Sequence, residues 1–406
     1  MYEEKKGGQD DGTSTESAER FQGGWYPMSS PTVIDLFCGA GGLSEGMRQA
    51  GFSVLAGNDI DLHAGATFAS THPEAKFLPG SIFELSAQDF LEATDLQKFE
   101  LDVLAGGPPC QGYSVYNHQR GMHDERSHLF KEYLRIVEGL MPKWLVMENV
   151  TGIMSAGEGE AFQAVLAGIR SLGYNVEAQI LRAEEYGVPQ ERRRVVFIGN
   201  RIDAPIVWPE KTHGKNLKAF TTIRDALSDL PVLANGEDKG ICKYRVPASS
   251  AYQVELRQGS RKVHNHSASK LGAINLERMK HIPQGGSWRD VPFDLLPAGM
   301  KRAKRSDHTK RYGRMKWEGQ SCTVLTKCDI HWGAYIHPEQ DRSITVREAA
   351  RLQSFPDWFH FSGPRTEQFV QVGNAVPPFL GKCIGKAILE AEASLEDHPA
   401  LQVAMS

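Results

Sequence analysis

Residues 32–60 read as a complete strand–turn–helix–strand unit, and that unit commits the chain to a layered α/β fold. "TVIDLF" (32–37) is a buried strand. "GAGGLSEGMRQAG" supplies glycines for a tight turn, then a helical pattern that stops at Gly51. "SVLAGNDI" (53–60) is a second strand. The pattern continues with strands at "LDVLAGG" (101–107), "KWLVMENV" (143–150) and "RRRVVFIGNR" (192–201). Between them, "HLFKEYLRIVEGLM" (128–141) places Leu129, Tyr133, Ile136 or Val137, and Leu140 on one helical face, and "AFQAVLAGIRSLGY" (161–174) is a further helix. Strands alternating with helices predict a parallel, doubly wound sheet, with ligands at the carboxyl ends of the strands.

After about Asn200 the alternation fades. Residues 202–340 are rich in Gly, Pro, His and basic side chains; helical patterns return at 345–355 and in a strong final helix over 373–395. A length of 406 residues suits two or three domains. The expected plan is a polar, disordered tail (1–30), an α/β domain (31–205), a smaller inserted domain (206–340), a return to the first domain (341–396) and a short tail (397–406). No apolar run is long enough to span a membrane, and the N-terminus lacks the apolar stretch of a signal peptide.

The net charge of −4 argues against a polyanionic partner, but its distribution along the chain points the other way. Between Lys239 and Trp317 there are 18 Lys and Arg against 5 Asp and Glu, a net +13, which leaves −17 for the rest. So lopsided a segment attracts nucleic acid at short range, where distant acidic groups are screened. The six cysteines form no C-x-x-C pair, which implies a reducing, intracellular setting. Cys322, Cys328 and His331 match no common zinc spacing, so no metal is expected.

Three stretches carry chemistry. "DLFCGAGG" follows a strand and opens a helix, so its backbone can approach a ligand. Counting from Gly39, the G-x-G-x-x-G pattern fails at Ser44, which disfavours a nicotinamide oxidoreductase; Asp59 ends the next strand, where an acid suits ribose hydroxyls. "GGPPCQGYS" (106–114) sets Cys110 behind two prolines that fix φ and remove two backbone donors. The strand cannot continue, so the thiol leaves the sheet at its ligand-facing edge, as a nucleophile requires. "MENV" puts Glu148 at a strand end as a candidate acid, with Asn149 beside it, and "QERRRVVFIG" adds Gln190, Arg192 and Arg194, the two arginines on one strand face by alternation.

Together with "REAARLQSFPD" (347–357) and "QVGNAVPP" (371–378), these motifs in this order resemble the DNA cytosine-5 methyltransferases of the bacterial modification type, from about Val33 to the last helix. The resemblance implies a Rossmann-like S-adenosylmethionine-dependent sheet with an inserted target-recognition domain. It implies that Cys110 adds to C6 of a flipped-out cytosine, that Glu148 hydrogen-bonds or protonates N3, and that Arg192 and Arg194 contact O2 and a nearby phosphate. Phe37, Gly39, Gly41, Asp59, Ile60, Ser81, Ile82, Pro109, Leu129 and Asn374 would line the S-adenosylmethionine pocket. Ser81 stands where the family often has aspartate. Gln111 and Ser114 would touch DNA, residues 111–127 would close as a lid, and Lys301, Arg302, Lys304 and Arg305 would contact phosphates. The implied partners are double-stranded DNA and a cognate restriction endonuclease, for a monomer in the cytoplasm. A tRNA cytosine-5 methyltransferase and a non-catalytic DNA-binding regulator on the same scaffold are the alternatives; the large basic insertion favours DNA, and Cys110, Glu148 and the arginines favour catalysis.

Overall fold

The computed structural model describes residues 30–109 and 129–396. Residues 1–29 and 397–406, expected as tails, lie outside them, as do Cys110, Gln111, Ser114 and the expected lid. The first half of the chain alternates strands and helices: β1 (Thr32–Leu36), α1 (Gly42–Ala50), β2 (Ser53–Asp59), α2 (Leu62–Thr71), β3 (Lys76–Pro79), α3 (Ala87–Thr94), β4 (Val103–Gly106), α4 (Leu129–Leu140), β5 (Trp144–Val150), α5 (Glu160–Ser171), β6 (Asn175–Arg182) and β7 (Arg193–Asn200). Short helices follow, α6 (Ile223–Leu227), α7 (Ala251–Leu256), α8 (Ala273–Lys280) and α9 (Ala298–Lys301), and then α10 (Val346–Leu352), α11 (Arg365–Asn374) and α12 (Pro378–Glu396).

The strands form one seven-stranded sheet in the order β3-β2-β1-β4-β5-β7-β6. The strands from β3 to β5 pair in parallel. The expectation of a wholly parallel sheet is corrected at β7, which runs antiparallel to both β5 and β6. The cause lies in the link: residues 183–192 join β6 to β7 with no crossover helix, and a parallel neighbour needs a dozen or more residues to return. β3 and β6 went unread because β3 has four half-exposed or exposed residues and β6 is an edge strand of mixed burial.

Alternation along β1 sends Ile34 and Leu36 into an apolar layer with Tyr133, Ile136 and Val137 of α4 and Val165 and Ile169 of α5. Val33 faces the other layer, with Met47 of α1 and Ile384 and Ile388 of α12. α1 and α12 touch closely at Gly46, where an added Cβ would lie 2.7 Å from Gly381 Cα. β1 sits at the turning point of the strand order, between β2 and β4, so a crevice opens at the carboxyl ends of β1 and β4.

The later segments build two further cores. One joins Ile223, Leu227, Tyr252 and Leu256 to Val346, Ala350 and Phe355 around α10. The other is a small cluster drawn wholly from residues 279–336, including Met279, Trp288, Tyr312 and Ile336.

Candidate active site

The glycine turn after β1 is pinned to the end of β2. Cys38 N–H donates to Asn58 O at 2.9 Å, and Gly39 N–H to Asp59 Oδ2 at 2.8 Å. Asp59 Oδ1 accepts from Asp61 N–H at 2.9 Å. Asn58 Nδ2 reaches across to Leu78 O and Gly80 O, which ties the end of β3 and the Ser81 turn to the same edge. Phe37 and Gly41 both take positive φ, 56° and 93°, so the backbone turns sharply before α1 begins. A Cβ added at Gly39 would meet nothing within 4 Å, so open space faces the turn. Ile60 leaves 70% of its surface exposed there. Burial raises the Asp59 pKa, and the backbone donors around it oppose that shift. Open space, a carboxylate and an uncovered apolar side chain fit a small molecule with hydroxyls and a heterocycle.

The second half of the site lies beyond β4 and β5. Glu148 is 9% exposed, and Arg194 Nε stands 2.6 Å from its Oε1. Register sets this pair, because Arg194 of β7 lies opposite Val150 of the antiparallel β5. A Cβ on Gly107 would come within 3.4 Å of Glu148 Oε2, so the glycine leaves room beside the carboxylate. Asn149 Nδ2 donates to Pro108 O at 3.1 Å and fastens the proline pair to β5. The arrangement sets a largely buried carboxylate, held by one cation, beside Gly107 and the proline pair.

Arg192 lies deeper than Arg194. It precedes β7 and is 1% exposed. Its guanidinium donates to Val324 O at 3.4 Å, Gly373 O at 3.2 Å and Ala375 O at 2.8 Å. Burial, and next the Arg194 charge, drive its pKa down. Its Nη1 and Nη2 donors clamp these segments together, while its buried Nε has no partner among the described residues.

Residues 31–390 match the family model described as C-5 cytosine-specific DNA methylase. The chain belongs to that family. It is 34% identical to Type II methyltransferase M.AgeI of Thalassovita gelatinovora, over 88% of this chain and 98% of the relative. It is 35% identical to Type II methyltransferase M1.HphI of Haemophilus parahaemolyticus, over 90% and 88%. A prophage-encoded E. coli chain, assigned as a DNA modification methyltransferase, superposes with a TM-score of 0.72 at 26% identity, over 90% of this chain and all of that one. The protein is thus a DNA (cytosine-5) methyltransferase.

The methylase brings Phe37, Gly39, Gly41, Asp59, Ile60 and Ser81 to one sheet edge. Ile82 is buried, and its carbonyl accepts from Arg135. Leu129 is half-buried at the start of α4, and Pro109 is exposed. Asn374 is exposed at the end of α11, and the next residue, Ala375, packs against Gly42 in the glycine turn. Lys301, Arg302, Lys304 and Arg305 are all at the surface, and Lys301 and Arg305 each donate to a carbonyl oxygen. Among the described residues no group of three His, Cys, Asp or Glu is placed to hold a metal. Sequence reasoning missed the segment 321–324, which lies beside 189–192. Ser321 N–H donates to Pro189 O, and Val324 N–H to Gln190 Oε1 at 2.9 Å. Ser321 Oγ and Thr323 Oγ1 also donate to Pro189 O and Glu191 O, but backbone partners so far away in sequence leave no local pattern to read.

Proposed function

We propose that this methylase transfers a methyl group from S-adenosylmethionine to C5 of a cytosine flipped out of a specific duplex DNA sequence. The Glu148–Arg194 pair carries the reading: a carboxyl held at a strand end, beside a glycine that leaves space, suits hydrogen bonding to cytosine N3. Cys110 adds to C6 while Glu148 shares a proton with N3, which turns C5 into an enamine carbon. Arg194 holds Glu148 and reaches cytosine O2. Loss of the C5 proton and expulsion of the Cys110 sulfur then restore the aromatic ring.

When bound, S-adenosylmethionine supplies an electrophilic methyl on a sulfonium. The backbone of Phe37, Gly39 and Gly41 cradles it, Asp59 takes the ribose hydroxyls, and Ile60 covers the adenine. Ser81, Ile82, Pro109, Leu129 and Asn374 complete the pocket. Residues 206–340 act as the target-recognition domain, a reading supported by the separate small core at 279–336 and the local charge of +13. Lys301, Arg302, Lys304 and Arg305 meet phosphates, and Gln111 and Ser114 meet DNA near the target. Relatives named as Type II methyltransferases support pairing with a restriction endonuclease, and the same reading makes the protein a cytoplasmic monomer.

Incubation with labelled S-adenosylmethionine and either unmethylated plasmid DNA or tRNA tests the reading, with bisulfite sequencing of the plasmid to locate methylcytosine. Label in DNA, absent with Cys110→Ala, is expected. Label in tRNA alone, or turnover by Cys110→Ala near the wild-type rate, removes it.

A further inference from the structure

The glycine turn after β1 is open at Gly39 and packed at Gly41. A Cβ on Gly39 meets nothing within 4 Å, whereas one on Gly41 would lie 2.8 Å from His72 Cε1 and 3.0 Å from Phe68 Cδ2. His72 caps the C-terminus of α2 and has no exposed surface. Its imidazole stacks on Phe68, with ring centres 4.9 Å apart, and stands edge-on to Phe359 at 6.1 Å. One flat ring thus lies against the glycine turn, α2 and the loop before α11.

Hydrogen bonds set the state of that ring. Thr71 Oγ1 donates to Thr67 O at 2.8 Å, so it accepts from His72 Nδ1–H at 3.0 Å. Nε2 keeps a bare lone pair, buried and without a hydrogen-bond partner among the described residues. Glu45 Oε2 lies 3.9 Å from it and is already taken by Arg48 Nε at 2.8 Å. Burial, and next the Arg48 charge, lower the His72 pKa to about 3, so the ring is neutral and acts through its shape. The helix that carries it is fastened to α11. Thr67 Oγ1 donates to Gln371 Oε1 at 2.7 Å and accepts from Ser362 N–H at 2.8 Å, and Gln371 Nε2 donates to Ser362 O at 2.9 Å. α11 ends at Asn374, and Ala375 packs on Gly42. His72 therefore links two sides of the cofactor pocket: it touches Gly41 directly, and its helix is bonded to α11.

We propose that His72 is a positioning residue for the cofactor, its ring a spacer that holds the Gly41 turn in the shape that receives S-adenosylmethionine. This rests on the reading that the glycine turn binds that cofactor. Without the spacer, the backbone at Gly41 gains freedom that binding must then remove, so affinity falls while the fold survives. The flat face of the ring matters, and its nitrogens do not.

Titration calorimetry with S-adenosylhomocysteine, without DNA, compares the full wild-type chain with His72→Ala, His72→Leu and His72→Phe. His72→Ala should raise Kd about tenfold at unchanged stoichiometry, and His72→Leu, which fills the space without a flat face, about threefold or more. His72→Phe should stay within about twofold of wild type. In turnover, His72→Ala should raise KM for S-adenosylmethionine and leave KM for DNA within about twofold of wild type. A merely structural role would instead lower the stoichiometry and leave Kd alone, and that result overturns the proposal. So does an equal loss of affinity for DNA, or a loss in His72→Phe as large as in His72→Ala, which would assign the effect to a ring nitrogen. If the alanine variant does not fold, the leucine variant decides by the same criteria. Wild type that binds no S-adenosylhomocysteine removes the underlying reading, and the proposal with it.

Discussion

Two arginines two positions apart do different work. Arg194 stands 2.6 Å from the Glu148 carboxylate, whereas Arg192 is buried and bonded to three carbonyl oxygens. We predict that Arg192→Ala lowers stability by a few kcal/mol, read from the denaturant midpoint, since three carbonyl oxygens lose their donor. Arg194→Ala should instead lower turnover by about 10²-fold with the midpoint nearly unchanged. Parallel unfolding and initial-rate measurements distinguish the two. Asp35 gives a pH prediction. Burial raises its pKa from 3.8 to about 7, against a 2.6 Å hydrogen bond from Ser44 Oγ. The folded chain therefore keeps a proton there that the unfolded chain releases above about pH 4. The stability tied to that proton is full at low pH and declines as pH rises towards 7. The wild-type denaturant midpoint should fall more steeply between pH 5 and 7 than that of Asp35→Asn; parallel curves would mean that Asp35 is ionised in the fold.

At the scale of elements, α10 is a scaffold for buried charge. Arg351 is fully buried and forks between Asp229 and Asp357, with contacts from 2.6 to 3.2 Å. Arg342 forks onto Glu348 at 2.8 and 2.6 Å, and Glu348 also caps the helix by accepting from Thr345 N–H. The Arg342 charge holds the Glu348 carboxyl well below the usual carboxylate range despite its burial. Removing one member strands its partners in an apolar interior. Arg351→Ala should cost about 3–5 kcal/mol in urea unfolding, far more than an exposed arginine would. α10, the final helix and five of the seven strands were legible because each repeats its apolar positions at a helical or extended period. The antiparallel β7 was not, because strand direction depends on the length and content of the preceding link. Nor was the network around α10, because its charged side chains read as surface until Asp229 and Arg342 arrive from elsewhere in the chain.

For the whole molecule, a net charge of −4 conceals a segment carrying +13. Replacing Lys301, Arg302, Lys304 and Arg305 together by alanine should weaken binding to all duplex sequences alike. It should also flatten the slope of log K against log salt, by roughly 0.9 for each phosphate the variant no longer neutralises, as read by fluorescence anisotropy. A changed site preference would instead make the quartet base readers. What the sequence determined by itself was the chemistry available: a glycine turn after a strand, an acid at a strand end, a proline-stiffened thiol and a basic insertion, all set by local residue order. What only the tertiary structure decided was which of those groups meet. Arg194 reaches Glu148 through an antiparallel register. Arg192 turns instead to carbonyls more than a hundred residues away. Local pattern records periodicity and backbone preference, whereas partnership between distant residues exists only once packing has closed the space between them.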